Sequence, residues 1–534
     1  MTKHQQKDLL NPNERHSGTP EDLVLRTEAR KPEIDPELGI KLGPKATTNS
    51  KHRLVTLGDS LTMGFQSLGT ANTAISWPRI VAWELGLDDD EFVVPTLRRY
   101  GGMPFNLEFL LRKLEGTVNH DLRGVSDLVK AGLGGIGFYE DVSTFWRSEW
   151  DKNISPERVH NLASWGWDVA DLMQASAAFL RQQVESGLLY ATTAAARSAY
   201  RVMQSTRAPG QIEGTSSPVA AAKELGKDGG IETLIVMIGA NNALRSVINL
   251  DATWTDDSGD HRDPKKKGRF TVWQPKHFKE ELAALVPLLD EIQAENVILS
   301  TVPHVTIPPI TKGITPGSGG GKVTAGSRYF EFYARPWVQS FDYRDDPCLT
   351  AGQARAIDSA IDDYNDAITE VVRTKRAQGK RWFVLETAGL LDRLAARRYL
   401  DDKTARPSWW DSVGGAYPLP DSLAQLGVDS RFFSADAQGR TQGGLFSLDG
   451  IHPTTIGYGV VAQQVINVMH VAGVKFNFGN GIERPGPVAV DFDRLLRLDT
   501  LMSAPPHLAQ GLLALLERLD DTTEGVFRKL GFAL

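Results

Sequence analysis

Short, wholly apolar runs alternate along this chain with longer segments in which apolar positions recur every three to four residues. Leu54-Val55-Thr56-Leu57 ends at Gly58, and the same form returns at Val159–Ala163, Thr233–Ile238, Asn296–Val302 and Trp382–Leu385. Runs this short and continuous predict strands buried on both faces, the habit of parallel sheets. Between them the helical period predicts helices from Trp167 to about Val184, over His277–Ala294, over Gln353–Lys375 and over Ile456–Val471, the last introduced by Pro453. Strands alternating with helices of that length build βαβ units, so the predicted fold is α/β, with helices on both faces of a central parallel sheet. In open sheets of this kind ligands bind beyond the carboxyl ends of the strands.

The remaining length reads as insertions, at about 98–156, 190–230, 251–274, 303–350 and 401–446. Thr311–Ser327, with its glycines, predicts a mobile loop, and Lys265-Lys266-Lys267 among Asp256, Asp257, Asp260 and Asp263 predicts a solvated one. Residues 1–50 are polar and unpatterned, which predicts a disordered or loosely packed tail. Residues 51–473 form the main domain, and 474–534 a helical extension with patterns over Phe492–Met502 and His507–Leu519, separated by Pro505-Pro506. The apolar faces of that extension (Leu495, Leu496, Leu498, Leu501, Met502; Leu512, Leu513, Leu515, Leu516) are expected to pack on the core, with a homo-oligomer or membrane-surface contact as the alternative.

Composition narrows the function classes. Among 534 residues, 41% hydrophobic and 23% charged describe an ordinary chain able to bury a core. A net charge of −7 supplies no basic field for nucleic acid, so no nucleic-acid partner is expected. Cys348 is the single cysteine, which leaves no intramolecular disulfide framework and fits a reducing compartment. Met1–Asn49 has no apolar core of signal-peptide length, and no stretch approaches a transmembrane span. A cytoplasmic location is the expectation.

Four separated segments carry chemistry: Gly58-Asp59-Ser60-Leu61, Gly166 within Asn161-Leu162-Ala163-Ser164-Trp165-Gly166, Gly239-Ala240-Asn241-Asn242, and Asp449-Gly450-Ile451-His452 followed by Pro453 and Gly457-Tyr458. A serine at a strand end is a weak nucleophile until a base takes its proton. A carboxylate separated from an imidazole by two intervening residues can fix the ring's tautomer and stabilise the imidazolium. In their order and contexts these segments resemble the SGNH (GDSL-type) hydrolases, a family of serine esterases and lipases. The likeness runs from about Arg53 to Val468 and is close only around the four segments.

The resemblance implies a flavodoxin-like three-layer sandwich with Ser60 as nucleophile, His452 as base and Asp449 as its orienting carboxylate. It implies an oxyanion hole made of the Ser60 and Gly166 backbone N–H groups and the Asn241 side chain, with Gly101 or Gly102 as alternatives to Gly166. The family usually has Asp where this chain has Asn242, a departure expected to alter loop hydrogen bonding while activity survives. Met63, Phe65, Trp165 and Trp167 lie beside these positions and are read either as an apolar acyl-binding wall or as core. The histidines show no paired metal-ligand spacing, so neither metal nor other cofactor is expected. The implied activity is cofactor-independent hydrolysis of a small-molecule or lipid carboxylic ester through an acyl-enzyme. A carbohydrate O-acetylesterase and an idle scaffold that keeps the fold are the rival readings.

Overall fold

In the computed structural model, five strands pair side by side and all in parallel: β1 His52–Gly58, β2 Asn161–Ala163, β3 Ile231–Met237, β4 Ala294–Ser300 and β5 Trp382–Leu385. The structure describes residues 15–43, 49–116, 125–154, 158–206, 214, 216–324 and 326–522. The strand order is β2-β1-β3-β4-β5, compatible with a flavodoxin-like sandwich. The apolar runs of the sequence are thus the strands themselves, to within two residues at each end.

Side chains alternate across the sheet as the pleat requires. Val55, Leu57, Leu234, Val236, Val297, Leu299 and Val384 face one core, and Leu54, Ile235, Met237, Ile298, Phe383 and Leu385 face the other. The helices that position the site are α1 Ser60–Met63, α2 Trp77–Glu84, α3 Pro218–Lys227, α4 Pro275–Asp290, α5 Ala351–Ala377 and α6 Thr455–Val471. The first core is closed by α3, α4 and α5 (Val219, Leu225, Phe278, Leu285, Ile357), and the second by α2 and α6 (Ile80, Val81, Ile456, Val465). Capping fixes where these helices start. Thr350 Oγ1 accepts the Gln353 N–H at 3.2 Å while Gln353 Oε1 accepts the Thr350 N–H at 2.9 Å, a reciprocal box opening α5.

Two expectations are corrected. The segment expected as one helix from Trp167 to Val184 is a loop followed by two helices, Asp171–Gln174 and Ala177–Ser186. Asp168 accepts the Ala170 N–H and Asp171 accepts the Asp168 N–H, and these local bonds displace a continuous helix. The tail is not loose over 15–43. Leu23 and Ala29 are buried, Arg30 pairs with Asp366 and Glu386, and Pro36 O accepts from Val384 at the open edge of β5. Its polar residues are spent on ion pairs, which an apolarity pattern does not register. Residues 1–14 and 44–48 lie outside the described residues.

The insertions carry small structures of their own, including an antiparallel sheet of Lys312–Ile314, Phe332–Ala334 and Leu349–Thr350. Lys312–Ile314 begins the glycine-rich stretch that the sequence assigns to loop. In the C-terminal extension Leu495, Leu501, Leu512, Leu515 and Leu516 are buried against the chain's own core. The apolar faces that could have met a second copy or a lipid surface are largely covered, with Leu498 the more exposed remainder. Among the described residues no helix is long and apolar enough to cross a membrane.

Candidate active site

Register places the functional loops together. Gly58 at the end of β1 lies opposite Ala163 of β2 on one side and Met237 of β3 on the other. The residues that follow, 59–60, 164–166 and 238–241, therefore leave the sheet side by side at its carboxyl edge. A Cβ on Gly58 would stand 2.4 Å from Met237 O, so only glycine lets the strands approach here. Asp59 then caps α1 by accepting the Leu61 N–H at 3.0 Å, and Ser60 becomes its first residue. The Ser60 carbonyl accepts from Gly64 N and Phe65 N, both at 3.1 Å, and from the Tyr458 hydroxyl at 3.4 Å, which fixes the turn.

His452 Nε2 lies 2.9 Å from Ser60 Oγ, and His452 Nδ1 lies 3.0 Å from Asp449 Oδ2. With Nδ1–H donating to the carboxylate, Nε2 is left to accept the serine proton. Asp449 is held from several sides: its Oδ1 accepts the Ile451 and His452 N–H groups at 2.9 Å each and the Ser447 hydroxyl at 3.2 Å, and its Oδ2 also accepts the Leu68 N–H at 3.0 Å. Burial pushes the Asp449 carboxyl up, but the His452 charge and these donors outweigh it and hold the group below its ordinary value. Phe65 packs edge-on to the His452 ring at 4.8 Å and against Trp165 at 5.3 Å, which locks the imidazole plane.

Gly166 has φ 82°, a left-handed conformation that favours glycine. The next residue offers its carbonyl to the site: Asn241 Nδ2 donates to Trp167 O at 2.8 Å. One amide proton is thereby used to orient the side chain, leaving the second to point elsewhere. The backbone N–H groups of Ser60 and Gly166 donate to no acceptor among the described residues. Gly101 and Gly102 sit apart, against Asn106 and Thr70. Asn242 is fully buried, its Oδ1 accepting the Val169 N–H at 3.3 Å and its carbonyl the Trp273 N–H at 2.8 Å. It therefore stitches the loops after β2 and β3 together.

Two cavities flank these groups. The first, about 110 Å³, touches Ser60 and His452 and is walled by apolar side chains including Leu61, Leu244, Val305, Leu390, Leu445 and Ile451. The second, about 440 Å³, touches Gly166 and carries charged groups. The four pocket candidates from the sequence line up differently from the acyl-wall expectation. Met63 and Phe65 are buried core, and Trp165 and Trp167 border the second cavity. The apolar walls come from single residues of many separate segments, and adjacency in sequence to Ser60 could not reveal them.

No protein-family model matches this chain, and no curated protein matches it.

Reading the sequence alone also misses Ser447, which supports Asp449, and gives Tyr458 no role beyond its place in the motif. The lysine run is corrected: Lys267 is no solvated charge, since its Nζ donates to Asp168 at 2.8 Å and to Asp171 at 2.7 Å. Nothing in a Lys-Lys-Lys string distinguishes the one that turns inward. Among the described residues no group of His, Cys, Asp and Glu is arranged to hold a metal ion.

Proposed function

We propose that this protein is a serine-dependent carboxylic ester hydrolase of the SGNH (GDSL) kind, acting on an ester with an apolar acyl chain through an acyl-enzyme. The observation that carries this reading is the unbroken hydrogen-bonded line Ser60–His452–Asp449 at the carboxyl edge of the sheet, opening on an apolar cavity. Ser60 Oγ attacks the ester carbonyl as its proton passes to His452 Nε2, and Asp449 stabilises the imidazolium. The oxyanion receives the N–H groups of Ser60, Gly166 and Asn241. The departing alkoxide takes the proton from Nε2, and water repeats the sequence to release the acid and restore the serine. Each oxyanion donor is worth on the order of 10² to 10³ in rate.

The apolar walls around Ser60 favour an acyl-chain esterase or lipase over a carbohydrate O-acetylesterase. Each methylene buried there is worth at most about 0.8 kcal/mol, so kcat/KM should climb by up to roughly fourfold per added carbon until the cavity is filled. The test is p-nitrophenyl ester hydrolysis over increasing chain length, together with labelling by a fluorophosphonate. Labelling of the unmodified protein and its loss in a folded Ser60→Ala variant are expected. Retained turnover in Ser60→Ala would end the mechanism, absence of labelling would favour the scaffold reading, and a steep preference for acetyl esters would favour the carbohydrate-esterase reading.

A further inference from the structure

The second cavity begins at Gly166, beside the proposed oxyanion hole, and holds an unpaired buried cation. Arg245 lines it, is 9% exposed, and makes no hydrogen bond or ion pair among the described residues. Of the other buried guanidinium groups, Arg398 pairs with Asp358 and Arg376 with Glu37 and two backbone carbonyls, while Arg328 meets Asp362 at 3.8 Å. The carboxylates whose charge acts on Arg245 are Asp168 and Asp171, and both are already bound by Lys267. Burial pushes Arg245 down to about 10, partly offset by those two carboxylates, so it remains a cation at neutral pH.

A buried charge without a partner is costly unless something else compensates it. Counting the groups at this cavity, the cations Arg245, Lys267 and Lys265 outnumber the anions Asp168 and Asp171, which leaves a positive surplus facing the space. The planar guanidinium fork suits two oxygens of one carboxylate or phosphate. Trp165 borders the same cavity, and its indole N–H is buried and unbonded among the described residues. Apolar walls at Ser60 and a cationic chamber past Gly166 together describe a substrate with unlike ends.

We infer that the second cavity is a subsite for an anionic group of the substrate, a carboxylate or phosphate carried by the ester, and that Arg245 is its anchoring, specificity-determining residue. This rests on the ester-hydrolase reading. The test compares matched neutral and anionic esters: methyl hexanoate with monomethyl adipate places the charge on the acyl part, and ethyl butyrate with the butyrate esters of glycolate and of 2-hydroxyethyl phosphate places it on the alcohol part. The anionic-to-neutral ratio of kcat/KM is expected to exceed one in at least one pair. In Arg245→Met that ratio should fall tenfold or more, and Arg245→Lys should recover part of it. The pair that responds identifies the side and kind of anion. Titration of the same esters into Ser60→Ala and Ser60→Ala/Arg245→Met, by calorimetry, reads affinity without turnover. A selective tenfold loss of anionic-ester binding there upholds the subsite even where the unmodified protein hydrolyses nothing. Ratios equal within twofold in the unmodified protein, Arg245→Met and Arg245→Lys overturn it while leaving the hydrolase reading standing.

Discussion

Asp59 stands between two demands, since it must cap α1 and yet lies wholly buried beside Ser60. Burial raises its carboxyl to about 7, against the Leu61 N–H and the His452 charge, which lower it. A carboxyl raised on folding makes the fold progressively less stable as the pH climbs from its unfolded value of 3.8 through about 7. Asp59→Asn should therefore gain stability over the parent across that interval and hold a constant advantage above it, which urea denaturation at a series of pH values would check. An advantage unchanged with pH would show that Asp59 does not titrate there. Asn241 makes a sharper prediction. Its amide would bind charge that exists only in the transition state, so Asn241→Ala should lower kcat by about 10² to 10³ with little change in KM. Asn242→Asp should be tolerated, because an aspartate keeps the oxygen that accepts from Val169. A crippled Asn242→Ala beside a mild Asn241→Ala would mean that the register of this loop is misassigned. These residues were legible in sequence because each sits in a contiguous motif. Arg245 and the apolar walls were not, because their meaning arises only from what folding places opposite them.

At the scale of elements, the strands were the clearest signal, since burial on both faces writes an apolar run that needs no context. The break after Trp167 was invisible to periodicity, because Asp168 and Asp171 act through capping bonds that leave the apolar spacing intact. Helix α6, which follows His452 directly, depends on one distant residue as well as on its own cap. Thr454 Oγ1 accepts the Gly457 N–H at 3.2 Å, and Asp499 Oδ2 accepts the Ile456 N–H at 3.0 Å. Asp499 also caps Thr500–Ser503 through its other oxygen. Asp499→Ala removes both supports and should cost about 2 kcal/mol of stability, at the upper end for a single cap. Equilibrium denaturation would measure it, and a change below about 0.5 kcal/mol would show that water replaces the carboxylate freely.

Across the whole molecule, the insertions are tied to the sheet by a buried ionic network. His304 lies between Asp392 at 2.9 Å and Asp362 at 3.0 Å, and Arg398 pairs with Asp358 at 3.0 Å. Burial pushes His304 down, but Asp392, Asp362 and Asp358 outweigh it and raise the imidazole to about 10. A histidine whose value rises on folding contributes stability that is full below its unfolded value of 6.5 and is lost as the pH climbs through about 10. The melting temperature should therefore fall across that alkaline interval, and His304→Gln should show a shallower fall. Equal slopes in the two proteins would show that His304 is not charged in the fold. A network of this kind was illegible in sequence, because its members come from β4's exit loop, α5 and the segments after β5.

The tie between Asp499 and α6 also has a consequence for the order in which the site is assembled during synthesis. Ser60, Gly166 and Asn241 emerge from the ribosome long before His452, and the helix behind His452 is secured only when Asp499 follows. A growing chain can pair all five strands of its central sheet before His452 is made. On the proposed function, hydrolytic competence arrives late and at once, so ribosome-stalled chains ending before His452 should be inert toward a fluorophosphonate. Those extending well past Asp499 should react.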